Sequence, residues 1–204
     1  MKLSLIQIIS LATTFVFIGL VSFISIKVHS GEPHPVDKNA NAYHQSDVPS
    51  DCARETETVT RTVRGESLAP RITHDATLQI DLLPPECIFP EREALVLASY
   101  PGHDTPLVKI VRGLPGDTFA LVPTGSEEYY VSVNDQILQT DAKVPYRFTE
   151  QSSTELRRYG ERYGYTIPRD RYLLLGNVPG GSLDATVFGF TSRNAFLGML
   201  AANP

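Results

Sequence analysis

The sequence lacks an excess of positive charge, holding 18 Lys and Arg against 23 Asp and Glu for a formal net charge of −5. A nucleic-acid-binding surface is built from clustered cations, so that class of partner is excluded. No glycine-rich phosphate loop, no Cys/His spacing of a zinc site and no carboxylate-rich calcium loop is present, and there is no internal repeat. His29, His34 and His44 have no ligand spacing. Cysteine is scarce, with Cys52 and Cys87 the only two. Long apolar runs are scarce as well: one exists, from Leu3 to Ile26, between Lys2 and Lys27. As a helix it extends about 36 Å, enough for a hydrocarbon core of roughly 30 Å. It exceeds the apolar region of a cleavable leader and leaves through Ser25-Ile26-Lys27-Val28-His29 without a small-x-small exit, which predicts an uncleaved membrane anchor over residues 1–28.

Residues 29–55 carry few large apolar side chains and several Pro, Asn, Ser and His. Such a segment cannot bury enough surface to order itself and is expected to be a tether. From residue 56 to 204 the pattern is strand-like. Thr56–Val63 is rich in Thr and Val, Ala94–Tyr100 is a short apolar run, and Phe119–Val122, Tyr129–Val133 and Tyr172–Leu175 follow. Turns at Pro84-Pro85, Pro101-Gly102, Pro115-Gly116 and Gly180-Gly181 punctuate them. The single helical candidate is Thr154–Tyr163. The reading is an all-β domain of one core behind the anchor. An even cysteine count makes a Cys52–Cys87 disulfide plausible on the outer side of a membrane, with two buried thiols as the alternative.

Chemistry enters with Val108-Lys109-Ile110-Val111-Arg112-Gly113-Leu114-Pro115-Gly116-Asp117. Alternation puts Val108 and Ile110 on one face of a strand and Lys109 on the other. A buried ammonium finds an anion or loses its proton, and a neutral amine is a usable base; a strand lysine whose head reaches water is the ordinary alternative. Upstream, Arg64-Gly65-Glu66-Ser67-Leu68-Ala69-Pro70 places Ser67 at an irregular bend.

Together these segments resemble the type I signal peptidases, whose pattern is Gly-x-Ser-Met-x-Pro followed by a strand reading roughly Val-Lys-Arg-Val-x-Gly-x-Pro-Gly-Asp. A third block, Leu175–Gly189, is similar to the family's Gly-Asp-Asn-x-x-x-Ser-x-Asp-Ser-Arg-x-x-Gly, and Val131–Leu138 to its strand-turn-strand. The resemblance covers about Thr62 to Leu200. It implies a coiled β-sheet barrel, Ser67 as nucleophile, Lys109 as general base, Ser182 as the hydroxyl that orients the lysine amine, and Asp184 in support. The Ser67 backbone N–H is the implied oxyanion donor. Gly65 supplies no side-chain donor, so a second is unassigned. Departures gather in the third block: Asn177 stands where the family has aspartate, Ala185 where it has serine and Thr186 where it has arginine. Leu68 for methionine and Arg71 for threonine are milder. Without its usual arginine, Asp184 is expected to be exposed or to pair with another cation, for which Arg112 and Arg193 are candidates.

The resemblance further implies a serine endopeptidase of the inner (cytoplasmic) membrane, single-pass, cleaving signal peptides from preproteins on the extracytoplasmic side, with substrate extended along a strand edge. The lipid bilayer is an implied partner; no cofactor is implied, and no oligomeric state can be read. Two alternatives stay open: a conjugative-transfer maturation peptidase processing a pilin-like precursor, and a catalytically silent homologue that binds peptides without cutting them.

Overall fold

In the computed structural model the described residues are Cys52 and 56–201, all within one unit spanning residues 33–204. The expected anchor and most of the expected tether lie outside them. Among the described residues no helix is long and apolar enough to cross a membrane.

Among the described residues, eleven strands and two α-helices follow in chain order: β1 (Glu57–Thr62), β2 (Thr77–Leu82), β3 (Leu95–Tyr100), β4 (His103–Gly113), β5 (Phe119–Pro123), β6 (Glu128–Val133), β7 (Gln136–Ile137), β8 (Arg147–Thr149), α1 (Glu150–Tyr163), β9 (Arg171–Leu175), α2 (Ala185–Phe188), β10 (Thr191–Ser192) and β11 (Phe196–Leu200). Seven strands form one sheet in the order β1-β2-β11-β3-β4-β9-β10; β5, β6 and β7 form a second, which β8 joins by pairing with β6. The domain is therefore mostly β-sheet and not all-β, since the 14-residue α1 and the short α2 accompany the strands; each strand expected from the sequence pattern is present. β2 and β11 are additions. They sit beside each other between β1 and β3 and so bring β1, which leads into Ser67, into the same sheet as Lys109.

β9 shows why the two sheets need one another. Its alternating side chains feed two cores: Leu173 and Leu175 pack with Phe119, Val131, Phe148 and Leu156, whereas Tyr172 and Leu174 pack with Val96, Val111 and Phe196. A strand buried on both faces reads as an unbroken apolar run, here Tyr172-Leu173-Leu174-Leu175. A third cluster, Leu68, Ile72, Leu78, Ile80, Leu95, Leu97 and Ile110, lies behind the Ser67 segment.

α1 begins four residues before the expected Thr154, because Thr149 caps it by accepting from Ser152 N. Its first turn is polar and carries no apolar period, so only the cap marks the start. It ends at Gly164, in the left-handed region at φ 64°. Cys52 and Cys87 form a disulfide across 35 residues.

Candidate active site

The segment carrying Ser67 is a loop closed at its base by Val63 N donating to Ala76 O and Asp75 N donating to Val63 O. Two side chains fix it from beneath: Leu68, 2% exposed, and Ile72, 8% exposed, enter the third core cluster. Ser67 is thus turned outward by the burial of its neighbour. Before it, Gly65 takes φ 95°, a region that favours glycine, and its N–H donates to His74 Nδ1 at 2.9 Å. His74 carried no signal in the sequence.

Lys109 is on β4, opposite Val96 of β3, and is only 2% exposed. Its Nζ lies 3.0 Å from Ser67 Oγ and 3.2 Å from Ser182 Oγ. Desolvation holds the amine below the ordinary lysine range, and the negative charge of Asp184 partly opposes this. The two residues expected to form a dyad are therefore in hydrogen-bond contact, and the hydroxyl expected to orient the amine touches it.

Asp184 departs from the expectation. It is fully buried, and neither Arg112 nor Arg193 meets it: Arg112 binds Glu93 at 2.5 Å and Asp141 at 3.5 Å, and Arg193 binds Asp170. Uncharged donors stand where the resemblance implies an arginine. Oδ2 accepts from Gly176 N at 2.9 Å, Ser182 N at 3.0 Å and Ser182 Oγ at 2.6 Å; Oδ1 accepts from Thr186 N at 3.0 Å and Thr186 Oγ1 at 2.9 Å. A carboxylate can take about this many donors. Thr186 thus fills its position with a hydroxyl where the family has a guanidinium, and Gly181, at φ 86°, leaves that side chain its space: a Cβ there would lie 2.4 Å from Thr186 Cγ2.

Asn177 proves to be structural glue. It is 5% exposed; its N–H donates to Ser67 O at 2.6 Å, its Nδ2 to Ala69 O at 2.9 Å, and its Oδ1 accepts from Asp141 N at 2.9 Å. Gly176 before it is confined on all sides, since a Cβ would stand 2.6 Å from Ser182 Oγ and 2.7 Å from Ser67 O. Tyr146 Oη donates to Gly176 O at 2.5 Å; burial pushes this phenol up to about 12, so it stays a donor. Arg71 joins the same region, binding Asp141 at 2.7 Å and Glu93 at 2.9 Å. Neither Tyr146 nor Asp141 lies in a recognisable motif.

Ser67 and Lys109 lie on a cleft of about 810 Å³ whose apolar lining includes Val63, Leu78, Leu82, Leu97 and Leu197. One wall is the first half of β4. β9 pairs only with Ile110, Val111 and Gly113 of β4, so the edge from Asp104 to Val108 has no strand partner on that side among the described residues.

A serine and a buried lysine in direct contact at an open cleft is the arrangement of the serine peptidases that use an amine as base. The chain belongs to the signal peptidase, peptidase S26, family, whose model matches residues 52–202; it is a serine peptidase of the family that processes signal peptides. Among solved structures it is similar to a signal peptidase I from Enterococcus faecalis V583, at 21% identity over 56% of this chain and 98% of that one, with a TM-score of 0.36. No curated protein matches.

Proposed function

We propose that Ser67 and Lys109 carry the reaction as nucleophile and general base, with Ser182 orienting the amine and Asp184 fixing Ser182. The observation that carries this reading is the 3.0 Å contact between Ser67 Oγ and a lysine that burial disposes to be neutral. Lys109 Nζ takes the Ser67 hydroxyl proton as Oγ bonds to the scissile carbonyl carbon. The ammonium then gives that proton to the departing amine as the C–N bond breaks. Water, losing a proton to the same Nζ, then bonds to the ester carbon, and as the C–Oγ bond breaks that proton passes to Ser67 Oγ, restoring the serine and the neutral amine. Ser182 Oγ, committed to Asp184 through its proton, offers Nζ a lone pair and holds it near Ser67. Developing negative charge on the carbonyl oxygen falls to the Ser67 backbone N–H.

The preprotein lies extended in the cleft. The free edge of Asp104–Val108 supplies main-chain groups, as in other complexes made by strand addition, and the apolar lining receives its side chains. The domain stands on the extracytoplasmic side of the inner membrane behind the Leu3–Ile26 anchor, as a β-sheet barrel of the signal peptidase kind. The Cys52–Cys87 disulfide suits an oxidising compartment.

The full chain in detergent, incubated with a labelled preprotein beside Ser67→Ala and Lys109→Ala, tests this. Cleavage by the unaltered chain and none by either variant supports the assignment; cleavage by either variant overturns it.

A further inference from the structure

We propose that Asn177 is a positioning residue for this reaction: its amide clamps the Ser67 segment to the loop carrying Asp141, a task a carboxylate at that position cannot perform. The inference rests on the reading of Ser67 as nucleophile.

The amide has one orientation. A backbone N–H only donates and a carbonyl only accepts, so the contact with Asp141 N must be Oδ1 and that with Ala69 O must be Nδ2. With Asn177 N on Ser67 O, the nucleophile's own carbonyl and the one two residues on are pinned by a single residue. The clamp has a rigid base, because Gly176 is fixed by Tyr146 Oη on its carbonyl and by Asp184 on its N–H. The main chain at Ser67 and immediately after it is therefore pinned by Asn177 where Ser67 Oγ meets Lys109 Nζ at 3.0 Å.

The family's aspartate has the same shape without the donor. Once ionised it sets an anionic oxygen against the Ala69 carbonyl in place of a 2.9 Å hydrogen bond. Its charged surroundings give little relief. Arg71 and Arg112, the cations of this region, bind Asp141 and Glu93; Asp184 lies beyond Gly176, Tyr146 is held protonated and Lys109 is held toward the neutral form. The exchange of aspartate for asparagine is thus matched to this site.

The test measures kcat and KM of the full chain in detergent on a labelled preprotein, from about pH 6 to pH 10, where a shifted lysine titrates. The unaltered chain gains rate with pH as Lys109 loses its proton. Asn177→Asp is expected to lose kcat by about 10- to 100-fold at the alkaline end, the scale of a small misplacement of reacting groups, with KM little changed. Its profile becomes a bell, because the new carboxyl lets go of Ala69 as it ionises. Asn177→Ala loses both side-chain bonds without adding charge, so kcat falls at every pH and the rising profile keeps its shape. An Asn177→Asp enzyme with the unaltered kcat and profile overturns the proposal. Should that variant fail to fold, full kcat in folded Asn177→Ala overturns it equally. Ser67-independent cleavage would instead strike the nucleophile assignment, a distinct failure.

Discussion

The two halves of the site handle charge in opposite ways. Around Lys109 the surroundings are apolar and the nearby polar atoms are two hydroxyls, Ser67 Oγ and Ser182 Oγ. Around Asp184, equally buried, five donors converge. Burial of similar depth is thus met by opposite surroundings. Ser67 Oγ, whose proton is not engaged by Asp184, can donate to a neutral amine as readily as it accepts from an ammonium, so the lysine half tolerates loss of the proton, whereas around Asp184 both carboxyl oxygens are taken up by donors. Ser182 belongs to both halves and passes the order of the aspartate side to the amine.

The strongest way to break this comparison is to change the lysine half. Ser67→Ala, Lys109→Ala and Lys109→Arg are each expected to abolish processing, the last because a guanidinium keeps its proton. Lys109→Met sharpens the point: activity vanishes while the thermal midpoint at neutral pH holds or rises, since the fold disfavours the ammonium it loses. A large drop in that midpoint would show the amine to be a structural anchor. On the aspartate side, Asp184→Ala strands three backbone N–H groups and the Ser182 hydroxyl, while Thr186 Oγ1 keeps Ser182 O as an acceptor, and should destabilise the domain by about 3 kcal/mol or more, read from denaturant unfolding. A cost below about 1 kcal/mol would mean that the donors find other partners. Thr186→Arg is smaller, about 2 kcal/mol with a fall in cleavage, because the threonine is fitted against Gly181; improved stability would show room kept for the family's guanidinium. The smallest effect is pH dependence of stability. Lys109 is lowered in the fold, so between that lowered value and about 10.4 the unfolded chain holds more proton, and its contribution to stability rises with pH. In Lys109→Met this part of the slope should vanish.

The lysine half was legible because two short motifs, one around Ser67 and one around Lys109, together resemble the signal peptidase pattern; taken alone, one reads as an ordinary loop serine and the other as a strand lysine whose head reaches water. The aspartate half was not, because its solution is non-local. Thr186, Gly181, Gly176, Tyr146 and Asn177 come from two chain regions, and nothing in the sequence tells that a threonine plus main-chain N–H groups will stand in for an arginine. Salt-bridge reasoning pointed to Arg112 and Arg193 as partners; the chain spends both on other carboxylates. In the fold, strands with clear turns at their ends were readable. The alternation in Thr77–Leu82, exposed at Thr77 and Gln79 and buried at Leu78 and Ile80, was an available signal for β2, and the strand-turn-strand read over Val131–Leu138 is β6 and β7, whereas β10, two residues long, exists only through its neighbour.

The disulfide has a mechanical meaning. β1 is the outermost strand of its sheet, held on one side alone by β2, and its last residues help line the cleft. Hydrogen bonds along a single edge peel one at a time when pulled from an end. Cys52 precedes that strand, and its bridge to Cys87 delivers any tension arriving along the preceding chain to the short turn Pro85–Cys87 after β2. Force entering at Cys52 therefore has a covalent route to the chain after β2 that bypasses β1, the strand leading into Ser67.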